Sequence, residues 1–98
     1  MEFLKISEAF EQQIIQEFKF ELLELHYARY SFGSGMVAYR IQGKLVKIIF
    51  EGRDAIVEII LSAKHDKYPN GTWTTIFTGT TEEFLTLGIE TAKISFNK

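Results

Sequence analysis

The sequence predicts an α+β fold: an N-terminal helix packed on a four- to five-stranded, mainly antiparallel meander sheet, then a short C-terminal helix and a final strand. Three observations lead there. Phe10, Ile14, Phe18 and Leu22 recur every four residues, the spacing of one helix face. Apolar and other residues alternate between positions 36 and 61, the period of a strand. Short glycine-containing turns interrupt that stretch, so neighbouring strands should run antiparallel.

The elements follow in order. Ser7 is a candidate N-cap for a helix over residues 8–17, with Glu8 and Glu11 at its positive end. Ile15 and Leu25 widen the apolar stripe. Residues 18–28 satisfy both periods: Leu22 and Leu25 extend the helix, whereas Leu23, Leu25 and Tyr27 alternate. The switch to strand is placed near residue 20, with the strand reaching Phe32. Gly33-Ser34-Gly35 breaks the chain. Strands are expected over Met36–Ile41, Leu45–Phe50 and Ala55–Leu61, joined at Gln42-Gly43 and at Glu51-Gly52-Arg53-Asp54. Residues 64–72 form a loop marked by Pro69 and Asn70-Gly71. Trp73, Ile76 and Phe77 fit a short helical turn. Thr80 and Glu83 match a capping box for a helix at 81–87 that Gly88 can end, and Ile89–Phe96 reads as the last strand.

Totals bound the class. Ninety-eight residues, 46% hydrophobic and 14% aromatic, suffice for one compact domain over residues 1–98. There is no cysteine, which removes disulfides and thiolate metal sites. Neither a signal-peptide pattern nor an apolar run of membrane-spanning length is visible, so a cytoplasmic protein is expected. Net charge is −2. Residues 1–25 hold six acids against two lysines, a net of −4, and residues 26–67 hold seven bases against four acids, a net of +3. An acidic helix beside a basic sheet edge explains that asymmetry.

Strand alternation divides the sheet into two faces. One gathers Ala28, Tyr30, Val37, Tyr39, Ile41, Val46, Ile48, Phe50, Val57, Ile59 and Leu61 as the core. The other gathers Tyr27, Arg29, Met36, Ala38, Arg40, Lys47, Ile49, Ile56, Glu58 and Ile60. Ile49, Ile56 and Ile60 need a cover. The C-terminal segment, with Trp73, Ile76, Phe77, Phe84, Leu85 and Leu87, is the expected one. Another chain is the alternative.

Catalytic and cofactor chemistry has little support. His26 and His65 lie far apart in sequence, and His65 beside Asp66 lacks the opposed approach of a base and its orienter. His65 reads as a solvated loop residue and His26 as structural. No zinc-type spacing exists. Gly33-Ser34-Gly35 joins strand to strand, so it is a hairpin turn and not a phosphate loop. Glu82-Glu83 suits a helix N-terminus. An acidic pI near 5.7 and the lack of an RNA-reading signature argue against nucleic acid. No catalytic, cofactor or metal residue is assigned.

What is left is a non-enzymatic module that binds another protein. Arg29, Arg40, Lys47, His65, Tyr68 and Trp73 are the expected contacts, being types that anchor interfaces or frame that surface. The acidic side chains Glu11, Glu17, Glu21 and Glu24 offer an alternative surface for a basic partner. A homodimer or larger homo-oligomer through Ile49, Ile56 and Ile60 is a second reading, and a small ligand-binding protein a third. In its general build the chain resembles small bacterial immunity-type and phage-encoded proteins. That resemblance implies neutralisation of a toxin or regulation of a host factor.

Overall fold

The computed structural model describes residues 2–28, 30–62 and 67–97. Helix α1 (Glu2–Ile14) buries Phe3, Ile6, Phe10 and Ile14, an i, i+3, i+4 stripe. It starts earlier than the helix predicted over 8–17. Ser7 is no N-cap: it is buried inside α1 and its Oγ donates to the Leu4 carbonyl at 3.1 Å. Phe3 and Ile6 extend the apolar stripe by more than a turn. Burying two such side chains contributes about 3–6 kcal/mol, against about 1 kcal/mol for a cap. The helix ends before Phe18, which is buried beyond it.

Strands β1 (Phe20–Ala28), β2 (Ser34–Ile41), β3 (Lys44–Glu51), β4 (Ile56–Ser62) and β5 (Trp73–Thr80) form one antiparallel meander in sequence order. The switch from helix to strand near residue 20 is as predicted. The helical turn predicted at Trp73, Ile76 and Phe77 is instead β5. Its residues are mostly β-branched or aromatic, which favours a strand. The misleading spacing comes from a bulge: Ile59 pairs with Phe77 and Ile60 with Thr75, so Ile76 is the extra residue. Ile76 and Phe77 consequently both pack on the core.

The predicted capping box is present, with Thr80 Oγ1 accepting from the Glu83 N–H at 3.2 Å and Glu83 Oε1 from the Thr80 N–H at 2.8 Å. It opens α2 (Thr81–Glu83), a π-helical turn (Phe84–Gly88) and α3 (Ile89–Phe96), which run on as one helical segment. The predicted final strand over Ile89–Phe96 is therefore helix. Gly88 does not stop it, because its backbone is right-handed (φ −64°, ψ −47°). The π turn inserts one residue into the helical repeat. That extra residue aligns Phe84, Ile89, Ala92 and Phe96, all buried, on one side.

Both helical segments lie on the same face of the sheet. Phe10 packs near Tyr39 and Phe84, with ring centroids 5.4 and 6.3 Å away, and Phe18 meets Phe96 edge-on at 5.5 Å. Polar ties lock this layer. Tyr39 Oη donates to Glu11 Oε2 at 2.6 Å, Lys44 Nζ to the Ser95 carbonyl at 2.6 Å, and Lys93 pairs with Glu17 at 2.7 Å. Of the lid expected for Ile49, Ile56 and Ile60, the helical part thus sits on the opposite face, and Trp73 alone stands on the side of Ile60. Among the described residues, no helix is long and apolar enough to cross a membrane.

Strand β1 corrects the face assignment. Leu23 is the extra residue of a bulge between Leu22 and Glu24, which shifts the alternation. Tyr27 belongs to the helix side, opposite Gly35, and stacks on Phe3 at 6.1 Å. A Cβ at Gly35 would lie 2.6–2.7 Å from the Phe3 ring, so only glycine admits that ring. Ala28, predicted in the core, faces the other side beside Ser34, and Tyr30 lies beyond the strand and is 94% exposed.

Candidate functional site

The sheet face turned away from the helices is built in cross-strand rows. One row runs Glu21, Arg40, Leu45, Ser62, Trp73, and the next Glu24, Ala38, Lys47, Ile60, Thr75. A third runs His26, Met36, Ile49, Glu58, Thr78. Beyond it lie Ala28 and Ser34 on one side and Glu51, Ile56 and Thr80 on the other.

The first two rows are occupied. Lys47 Nζ lies 4.8 Å from the Trp73 ring centroid and 5.6 Å from that of Tyr68. Tyr68 Oη donates to Glu24, so Tyr68 reaches from the loop to the β1 edge. In the rows these rings span, Ala38, Leu45 and Ser62 are buried. The small Ala38, between Glu24 and Lys47, leaves room for a ring above it. Each cation–π contact contributes about 0.5–2 kcal/mol. Of the six side chains expected to contact a partner, Lys47, Tyr68 and Trp73 therefore converge, but they hold the loop onto the sheet. Arg40 is half-buried in the neighbouring row. Arg29 and His65 lie outside the described residues.

The alternative acidic surface is dispersed. Glu11 accepts from Tyr39, Glu17 pairs with Lys93, and Glu21 and Glu24 stand on β1. They share no helix face, because α1 ends at Ile14. His26, read as structural, is exposed at the sheet edge with Nε2 3.3 Å from Glu24 Oε2. Among the described residues, no three of His, Asp and Glu cluster to hold a metal.

The other half of the face is open. His26, Ala28, Ser34, Met36, Ile49 and Glu51 line a shallow groove of about 290 Å³. At its end the turn between β1 and β2 presents Tyr30 and Phe32, 94% and 72% exposed. Phe32 has φ +57°, a conformation that costs about 1–2 kcal/mol for such a residue. Contacts with the next turn hold it, since the Gly52 N–H donates to Ser34 Oγ at 2.8 Å. Sequence reading missed both aromatics by running β1 on to Phe32. The glycine at Gly33, which closes the four-residue stretch Tyr30-Ser31-Phe32-Gly33, was the available sign of a turn.

Two tyrosines, Tyr39 under the helices and Tyr68 over the opposite face, give the fold a pH signature. Burial, then the hydrogen bond to Glu11 and that carboxylate's charge, pushes Tyr39 far above its usual value. Burial and the bond to Glu24 push Tyr68 up to about 12. Unfolded tyrosine titrates near about 10. Both groups therefore add stability that is complete below that pH and lost as pH rises through their folded values. Urea midpoints should fall above pH ~10, and Tyr39→Phe or Tyr68→Phe should flatten the decline. An equally steep decline in both variants would contradict these assignments.

No protein-family model, curated protein or solved structure matches the chain.

Proposed function

We propose that the protein is a non-enzymatic binding module, of the immunity or regulatory type, that docks a segment of another protein on the open half of its sheet. The supporting observation is that both helical segments cover one face, leaving Met36, Ile49 and Ile56 only half-buried on the other beside the exposed Tyr30 and Phe32. Aromatic side chains around an apolar floor are the usual anchors of an interface. The groove is too small and open to enclose a drug-sized molecule.

Charge selects the partner. The open half carries Glu51 and Glu58 with no lysine or arginine among its strand positions. A basic, amphipathic segment fits: its apolar side meets Met36, Ile49 and Ile56, and its cations meet the two glutamates.

A peptide display library selected on the wild-type protein tests this. Enriched peptides should combine apolar residues with Lys or Arg. Their affinity should fall about tenfold or more for Ile49→Lys, which adds a like charge and removes an apolar contact. Peptides that bind Ile49→Lys as well as wild type would refute the assignment.

A further inference from the structure

Strand β1 ends the sheet, and no described strand pairs with its outer flank. Leu22 and Leu25 lie on its helix side, yet are 51% and 45% exposed, and Ile15 nearby is exposed as well. An apolar strand edge of this kind is a template for another strand. We infer that β1 pairs antiparallel with β1 of a second copy about a two-fold axis through Leu25, joining the two sheets into one.

The β1 bulge makes the strand self-complementary. With Leu23 set aside as the extra residue, two symmetric registers keep like faces together and pair nearly the whole strand. One centres on Glu24 and sets its carboxylate against the partner's Glu24. The other centres on Leu25. It places Leu25 against the partner's Leu25, Leu22 against the partner's Tyr27, and Glu24 against the partner's His26. Leucine meets leucine and an aromatic ring on the helix side, and a carboxylate meets an imidazole twice on the other. The register centred on Glu24 also opposes Leu22 to the partner's Leu25, Phe20 to the partner's Tyr27 and Glu21 to the partner's His26. What separates the two is the axial pair, like charges at Glu24 against apolar contact at Leu25, which selects Leu25 as the axis. The pairing engages the β1 side of the groove at His26 and leaves its apolar floor, Met36 and Ile49, uncovered.

The chain has no cysteine, which permits a direct test by single-cysteine crosslinking. Leu25→Cys places two thiols at the axis, within about 4.5–5.5 Å between Cα atoms of opposed residues. Leu22→Cys places its two thiols roughly 13 Å apart along the strands. Mild oxidation should crosslink Leu25→Cys and leave Leu22→Cys monomeric on a denaturing gel. Without crosslinking, His26→Glu should weaken the dimer about tenfold in sedimentation equilibrium, through two new like-charge pairs, while His26→Lys keeps it. Equal crosslinking of the two cysteine variants would overturn the register. A wild-type protein that remains monomeric up to roughly 0.5 mM would overturn the dimer.

Discussion

Gly52→Ala is expected to destabilise the domain by about 3 kcal/mol or more. A Cβ at this position would stand 1.9 Å from the Phe32 carbonyl oxygen, 2.7 Å from its carbon and 3.1 Å from the Ser34 nitrogen. All three are backbone atoms, so no side chain can rotate away. The two turns must separate, and the 2.8 Å hydrogen bond from the Gly52 N–H to Ser34 Oγ goes with them. Phe32 then loses the support for its left-handed backbone. The change therefore reaches function as well: selected peptides should bind the folded fraction of Gly52→Ala more weakly than wild type. Urea denaturation gives the stability term, and an unchanged midpoint would show that the turns do not touch.

Phe84→Ala is expected to remove about 3–5 kcal/mol, a large part of the ~5–15 kcal/mol that a domain of this kind has in total. Phe84 is completely buried at the first residue of the π turn, with ring centroids 6.3 Å from Phe10 and 6.4 Å from Phe77. It joins the C-terminal helical segment to α1 and to β5. Leu87, three residues on, is 62% exposed, so Leu87→Ala should change stability by less than about 0.5 kcal/mol. The pair also tests the π turn. With the extra residue, Ile89, Ala92 and Phe96 point to the core; a plain α-helix from Phe84 would turn Thr91 and Ser95 inward instead. Ile89→Ala should thus be costly and Thr91→Ala mild, and the reverse order would contradict the insertion.

Much of the fold is legible in the sequence because period-two alternation through Val37–Ile41, Val46–Phe50 and Val57–Ile59 coincides with real burial. There the interior side chains are apolar, the turns are short, and no bulge shifts the count. The sequence misleads wherever one residue is inserted. Leu23 in β1 transfers Tyr27 and Ala28 to opposite faces from those expected, Ile76 in β5 imitates helical spacing, and the π turn hides the helix after Gly88. Each insertion changes the parity on which pattern reading depends. The site suffers most. Its aromatic members, Tyr30 and Phe32, follow a bulged strand, and apolar residues in that register read as core. Lys47, Tyr68 and Trp73 are among the six contacts expected from the sequence, but only the three-dimensional arrangement shows that they engage one another.

The account depends on the two sides of β3 having different environments. Ile48 is fully buried beneath the helices, whereas Ile49, its neighbour, is half-buried on the open half of the other face. Chemical denaturation of Ile48→Lys and Ile49→Lys compares them directly. Ile48→Lys should abolish the cooperative transition, since an unpaired ammonium cannot be accommodated in that core. Ile49→Lys should unfold cooperatively within about 1 kcal/mol of wild type. Loss of the transition in both variants would mean that the second face is covered and the proposed docking surface does not exist.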